Sequence, residues 1–291
     1  MYSSIQDLIE QANTRKVSLS QIVLENEMAL TDKTEQEVYE LLERHYEVMA
    51  ASAKKALEQP QQMIGGFISG VAARQYRYES PLVGKYLNDV MSMALSSSEV
   101  NASMGLVCAA PTGGASGVLP AVLLATAEKL RASKQQVLDA LLVAAGVGAV
   151  ITKNATVSGA EGGCQAECGA AAAMGAAAVV ALAGGTHEAC ANAVAIALMN
   201  CMGLICDPVG GMVQIPCAFR NASQAVNAII SADMALAGLD SVIPADEVIE
   251  AMFKVGKMLP EALRETALGG IATTKTAKLI TQSVSGDPAD I

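Results

Sequence analysis

GAAAAMGAAAVVALAGG, residues 169–185, carries no charge and no side chain bulkier than leucine or methionine. Alanine has the best intrinsic helix propensity, and a helix that is apolar on every side belongs inside a fold. Residues 137–151 repeat this texture with Asp139 as their only charge. Both runs are shorter than the ~20 apolar residues that cross a bilayer, and the first lacks Lys/Arg flanks. Buried core helices are therefore expected, with no membrane span.

Composition extends the argument to the whole chain of 291 residues. Hydrophobic residues make up 52% and charged residues 16%, with 14 Met and no Trp, so the interior must be built from small and aliphatic side chains. Small side chains let helices approach closely. The expected fold class is all-α, a compact bundle of small-residue helices with Gly-rich loops. So few charges cannot coat every helix, which predicts a subunit of an oligomer with one face covered. With 19 Lys and Arg against 29 Asp and Glu, the net charge of −10 excludes a generic nucleic-acid binder. The N-terminus lacks an apolar signal core, so a cytoplasmic protein is expected.

Local signals divide the chain. Ser18-x-x-Gln21, Thr34-x-x-Glu37 and Ser133-x-x-Gln136 fit the capping box. Val38, Leu41, Leu42, His45, Tyr46, Met49, Ala53 and Ala56 then recur at helical spacing, predicting one helix over 35–58. His45 lies on that stripe and is assigned no chemistry. Pro244 is expected to precede a helix, and Pro260 to start another that Gly269 and Gly270 end. The expected organisation is an N-terminal helical segment over 1–60, a helical catalytic core over 61–284 and a loose tail over 285–291. Four Gly-rich loops, at 64–70, 109–117, 158–169 and 206–212, offer close backbone approach to a ligand.

Seven cysteines without an export signal argue against a disulfide framework. Spacing alone leaves three readings open. Cys164, Cys168, Cys201 and Cys206 could form a structural zinc site. Three thiolates from separate loops could instead hold a four-iron cluster and leave one iron open to substrate. Inert buried thiols are the third.

The runs KNATVSGAEGGCQAECG (153–169), CDPVGGMVQIPCAFRNA (206–222) and AAPTGGASGVLPA (109–121) resemble the α subunit of the iron-sulfur-dependent bacterial L-serine dehydratases, over roughly residues 60–280. The resemblance implies an all-helical catalytic part and a [4Fe-4S] cluster with one open iron, held by Cys164, Cys206 and Cys217. Cys217 follows Pro216, whose missing amide suggests an extended approach to the cluster. The implied reaction converts L-serine to pyruvate and ammonia without pyridoxal phosphate. Thr112, Gly113, Gly114, Ser116 and Gly117 would nest the substrate carboxylate. Lys153 and Asn154, beside the cysteine loop, and Arg220 and Asn221, just after Cys217, are the candidate catalytic residues. Lys153 could act as a base or as a cation for the carboxylate.

Two departures from the family matter. Some single-chain relatives insert a C-terminal cysteine into the resting site; no cysteine follows Cys217 here, so that regulation is not expected. Single-chain relatives also carry an extra domain, which two-subunit forms supply as a separate β chain with a Ser-His-Thr motif. This chain has SSSEV at 96–100 and two His in all, and His187 is expected merely to start a helix. A β chain is thus an expected partner. A cysteine desulfidase or threonine dehydratase would use the same open iron, and a non-catalytic zinc-binding subunit is the alternative of another class.

Overall fold

The computed structural model describes residues 1–285; the tail expected over 285–291 lies outside the described residues apart from Ser285, which ends a helix. The helices run α1 (Ile5–Arg15), α2 (Leu19–Thr31), α3 (Glu35–Glu58), α4 (Val71–Tyr76), α5 (Gly84–Ala102), α6 (Val118–Leu130) and α7 (Lys134–Asn154). They continue with α8 (Gly159–Gly162), α9 (Ala170–Leu182), α10 (His187–Met199), α11 (Cys217–Leu236), α12 (Ala245–Met258) and α13 (Lys275–Ser285). No strand occurs among the described residues; a single isolated bridge joins Cys206 to Arg264. The fold is all-α, as the small-residue composition requires.

α9 forms the axis. Its alanines from Ala170 to Ala178 are all buried, and α6, α7, α10 and α11 surround it. Such proximity depends on missing side chains at the crossings. A Cβ on Gly175 would lie 2.9 Å from Val122 Cγ2 of α6 and 3.3 Å from Ala228 Cβ of α11. On the opposite contact, a Cβ on Gly148 of α7 would meet Met174 at 3.0 Å. The segments spanning Lys134–Asn154 and Gln165–Leu182 are apolar enough to cross a membrane by composition, but 67% and 89% of their apolar windows are buried within the fold.

The outer helices join the same core. Leu8, Ile22, Val38 and Ala53 belong to one buried cluster with α6, α7 and α9. Asp246 of α12 accepts the Ile5 and Gln6 amides at 2.8 and 2.9 Å, supplying partners to donors that the start of α1 leaves free. Thr34 and Ser133 make complete capping boxes, and α3 spans the expected 35–58. At Ser18 only half the box forms: the Gln21 backbone amide donates to Ser18 Oγ, while the Gln21 side chain turns away, with Nε2 donating to Glu25. His187 starts α10, and its Nδ1 lies 2.8 Å from Asn13 Oδ1.

The polar run at 96–99 is wholly buried. Ser96 accepts the Ala56 amide and donates to the Ser52 carbonyl, joining α5 to α3. Glu99 accepts the amides of Gln61, Gly70 and Ala72, fastening the Gly-rich loop at 64–70 and the start of α4.

One expected helix is absent. After Pro260 only a short 3-10 turn, Glu261–Leu263, forms, and Glu265 and Ala267 take positive φ of 66° and 57°. The backbone is engaged elsewhere: the Cys206 amide donates to the Leu263 carbonyl, and the Glu265 amide to the Cys206 carbonyl. Pairing with the cysteine segment replaces the i to i+4 bonds a helix would need.

Candidate functional site

The site is assembled where α9, α11 and the segment after α10 meet. Cys164 follows Gly163, whose φ of +77° turns the chain out of α8. It then leads into a π turn, Gln165–Gly169, that runs on into α9. π turns inside helices are rare and recur at functional sites. The widened turn depends on Gln165, which is wholly buried. Its Nε2 donates to the carbonyls of Gly162 and Met252 at 2.9 and 3.0 Å, and its Oε1 accepts the Gly203 amide at 2.8 Å. Its own amide donates to Leu204. One side chain thereby ties the Cys164 turn to α12 and to the segment that carries Cys206.

Cys206 is fixed by the backbone pairing with 263–265. Its neighbour Asp207, 1% exposed, ion-pairs with Arg220 at 2.8 Å and accepts the Ile271 amide at 2.7 Å. Arg220 Nη1 also donates to the Ile205 carbonyl at 2.8 Å. Arg220 sits three residues after Cys217, so this guanidinium straps the second cysteine segment to the third. Cys217 is the first residue of α11, following Pro216 as its cap. The extended approach expected after Pro216 is therefore replaced by a helix start.

The loop expected to take a carboxylate lies against these elements. Asn221 accepts the Gly117 amide at 2.9 Å and donates to the carbonyls of Gly114 and Cys217 at 2.7 and 2.9 Å. Close approach is obligatory here: a Cβ on Gly117 would meet the Ala94 carbonyl oxygen at 2.5 Å and Asn221 Oδ1 at 2.9 Å. Thr112 takes the Ala115 amide and donates its hydroxyl to Glu167 of the π turn. Ser116 is buried, and Gly113 sits in the turn closed by the Ser116 amide.

Electrostatics couple the three thiols. The Cys164 thiol is held below its ordinary value, first by a hydrogen bond with Cys168 and then by Arg220. Cys168 is driven well up by that same bond and by burial. Burial, followed by the charge of Cys164, pushes Cys217 up to about 12 and Cys206 in the same direction. Three thiols within reach of one another's charge, those of Cys164 and Cys206 buried and that of Cys217 half-buried, resist joint ionisation. A polynuclear metal centre relieves that repulsion by taking all three as thiolates, and soft sulfur donors suit iron-sulfur chemistry. The residues present fit such a group.

Other cysteines stand apart. Cys201 donates to the Leu198 carbonyl and packs on Gly169, while Cys190 sits beneath α9 against the Ala177 carbonyl. Among the described residues, no three His, Cys, Asp or Glu side chains close on one point as a single metal ion would require. The four-thiolate zinc arrangement is not formed.

Of the residues singled out in the sequence, Cys164, Cys206, Cys217, Thr112, Gly114, Gly117, Arg220 and Asn221 are brought together. Lys153 and Asn154 are not: both are exposed at the end of α7, and the Asn154 amide is spent on the Ser3 carbonyl at 2.9 Å. The Gly-rich turn Val209–Gly211 packs on α13, with Gly210 against Thr281. Sequence reasoning missed Gln165, Glu167, Asp207 and Glu265. Only their position beside the cysteines, in CQAEC and CD, signalled the first three.

Comparison with known proteins identifies relatives of the whole chain. The family model described as serine dehydratase alpha chain matches residues 14–272. The L-serine dehydratase alpha chain of Peptoniphilus asaccharolyticus is 48% identical over 96% of this chain and 97% of its own. A probable L-serine dehydratase alpha chain from Bacillus subtilis is 43% identical over 98% and 96%. The L-serine dehydratase TdcG of Escherichia coli is 36% identical over 93% of this chain, which spans 61% of the longer relative. A family model covering most of the sequence, and relatives matched almost end to end, lead to one conclusion: the chain belongs to the serine dehydratase alpha chain family.

Proposed function

We propose that this chain is the catalytic subunit of an L-serine dehydratase that holds a [4Fe-4S] cluster on Cys164, Cys206 and Cys217 and acts with a separate β chain. The strapping of these three cysteine segments to one another by Gln165, Arg220 and Asn221, beside a hydroxyl-bearing glycine loop, carries the reading. Relatives named for L-serine support the substrate, and those named alpha chain support a second chain. Neither the cysteine desulfidase and threonine dehydratase alternatives nor the zinc subunit gains support from these names. When bound, the cluster would supply a Lewis-acidic iron without a protein ligand, to polarise the substrate hydroxyl for elimination.

The chain's own residues would bind and orient. The backbone of 112–117, with Thr112 and Ser116, would receive the carboxylate, and the Arg220 guanidinium would add positive charge from the α11 side. Asn221 keeps that loop at a fixed distance from Cys217. Neither Lys153 nor Asn154 is placed to reach the thiols, so the base that removes the α-proton is assigned to another group, and the β chain is its proposed source.

Anaerobic purification, with and without reconstitution by iron and sulfide, tests this through the visible spectrum and pyruvate formation from L-serine. Alanine at Cys164, Cys206 or Cys217 is expected to abolish the iron-sulfur absorption, whereas alanine at Cys168 or Cys201 leaves it. Equal loss at all five would refute the ligand set. Brown but inactive protein that gains activity with the β chain would locate the missing base in trans.

A further inference from the structure

Asp207 and Arg220 form the one ion pair beside the cysteines among the described residues. Asp207 is sealed in, its side chain 1% exposed against 15% for Arg220. Both of its oxygens are committed, Oδ1 to Arg220 Nη1 at 2.8 Å and Oδ2 to the Ile271 amide at 2.7 Å. The backbone leaves room for nothing else: a Cβ on Gly270 would lie 2.8 Å from Asp207 Cγ. A carboxylate held on two sides in this way cannot swing.

The guanidinium is clamped at one end only. Its Nη1 meets Asp207 and the Ile205 carbonyl, the residues on either side of Cys206 in the chain. Nε and Nη2 have no protein partner among the described residues. Those two N–H groups make an edge with which an arginine grips a carboxylate in two parallel bonds. The edge is also well placed. Cys217, Arg220 and Asn221 share one face of the first turn of α11, and Asn221 holds Gly114 and Gly117 of the glycine loop. The guanidinium lies within electrostatic reach of Cys164 and Cys217.

On the dehydratase reading, we infer that Asp207 is a positioning residue: it holds Arg220 by Nη1 so that the Nε–Nη2 edge takes the substrate carboxylate, and this grip selects free amino acids over their carboxamides. An unanchored arginine would lose rotamer freedom at every binding event, whereas the buried pair loses it once, on folding. Asp207 itself touches no substrate.

The test compares L-serine with L-serinamide, in which a neutral amide replaces the carboxylate. Each ligand is titrated into anaerobically reconstituted wild type, R220Q, D207N and G270A, with binding read from the perturbed visible spectrum and iron counted per chain. Wild type should favour L-serine by more than about tenfold. R220Q should lose L-serine affinity about 10- to 100-fold with L-serinamide nearly unaffected, a loss of roughly 1.4–2.7 kcal/mol. D207N should keep its iron and shift the preference in the same direction by about 3- to 10-fold. G270A leaves every charge in place and displaces the Asp207 carboxylate, so it should reproduce the D207N shift and separate positioning from charge. Turnover with the β chain gives a second readout: in D207N KM should rise while kcat stays within about threefold. An unchanged preference in R220Q, D207N or G270A, a parallel fall of both ligands, or loss of iron from D207N each overturns the assignment. A wild type that holds no iron and yields no pyruvate with the β chain present refutes the dehydratase reading instead.

Discussion

Replacing Gln165 by leucine removes the one side chain that ties the first cysteine turn to two other segments. Leucine has nearly the same volume, so the loss falls on hydrogen bonds. The donors to Gly162 O and Met252 O and the acceptor of the Gly203 amide all disappear. Met252 O keeps the bond of its own helix, but the Gly203 amide has no other partner. At about 1 kcal/mol net for each bond, and about 1 more for the amide left unpaired, the cost is about 3–4 kcal/mol. For a chain of this size that lowers the melting midpoint by roughly 5–7 °C. Urea unfolding of the metal-free chain, followed by far-UV circular dichroism, measures it. Q165E should be worse than Q165L, because it sets a carboxylate against two carbonyl oxygens in a buried site. A loss below about 1 kcal/mol for Q165L, or a Q165E more stable than Q165L, would refute the reasoning.

Three further outcomes are expected. Gly256→Ala would place a Cβ 2.7 Å from Gly162 Cα, so it should cost about 1–3 kcal/mol and speed iron loss, read by chelator challenge. Lys153→Met, at an exposed position, should leave turnover of the complete enzyme within about twofold, measured as pyruvate formation. Tyr2 is pushed up to about 12 by burial and then by Glu27. Its neutral form is the one the fold favours, so its contribution is full below pH ~10 and lost as pH rises toward 12. Tyr2→Phe should flatten the stability decline across that window, and an unchanged slope would assign the decline to other groups.

Local chemistry was the legible part of the sequence. A capping box needs four residues, and those at Thr34 and Ser133 form as read; Ser18 shows the limit, since the Gln21 side chain turns to Glu25, one turn on. The buried α9 was legible because alanine on every face leaves only the interior. Long-range pairing was not legible. Pro260 and the glycines at 269 and 270 have the punctuation of a helix, yet that backbone is recruited by Cys206 from far away in the chain. For the same reason Gln165 and Glu265 escaped notice, their roles residing in partners that only the fold brings near. Thr112 was read as part of a carboxylate nest and Asn221 as a catalytic candidate; the bonds of Thr112 to Glu167 and of Asn221 to Gly114, Gly117 and Cys217 depend on the fold and were not legible.

The position of α9 also orders the motions of the molecule. Packed on four sides by α6, α7, α10 and α11, its amides have no route to water short of separating those helices. They should exchange hydrogen only through global opening and report the full unfolding free energy. The segment at 264–274 rests on a few backbone bonds and exposed side chains. Its amides should exchange through small local openings, so the rigid and the yielding neighbours of the cysteine segments can be timed separately in one experiment.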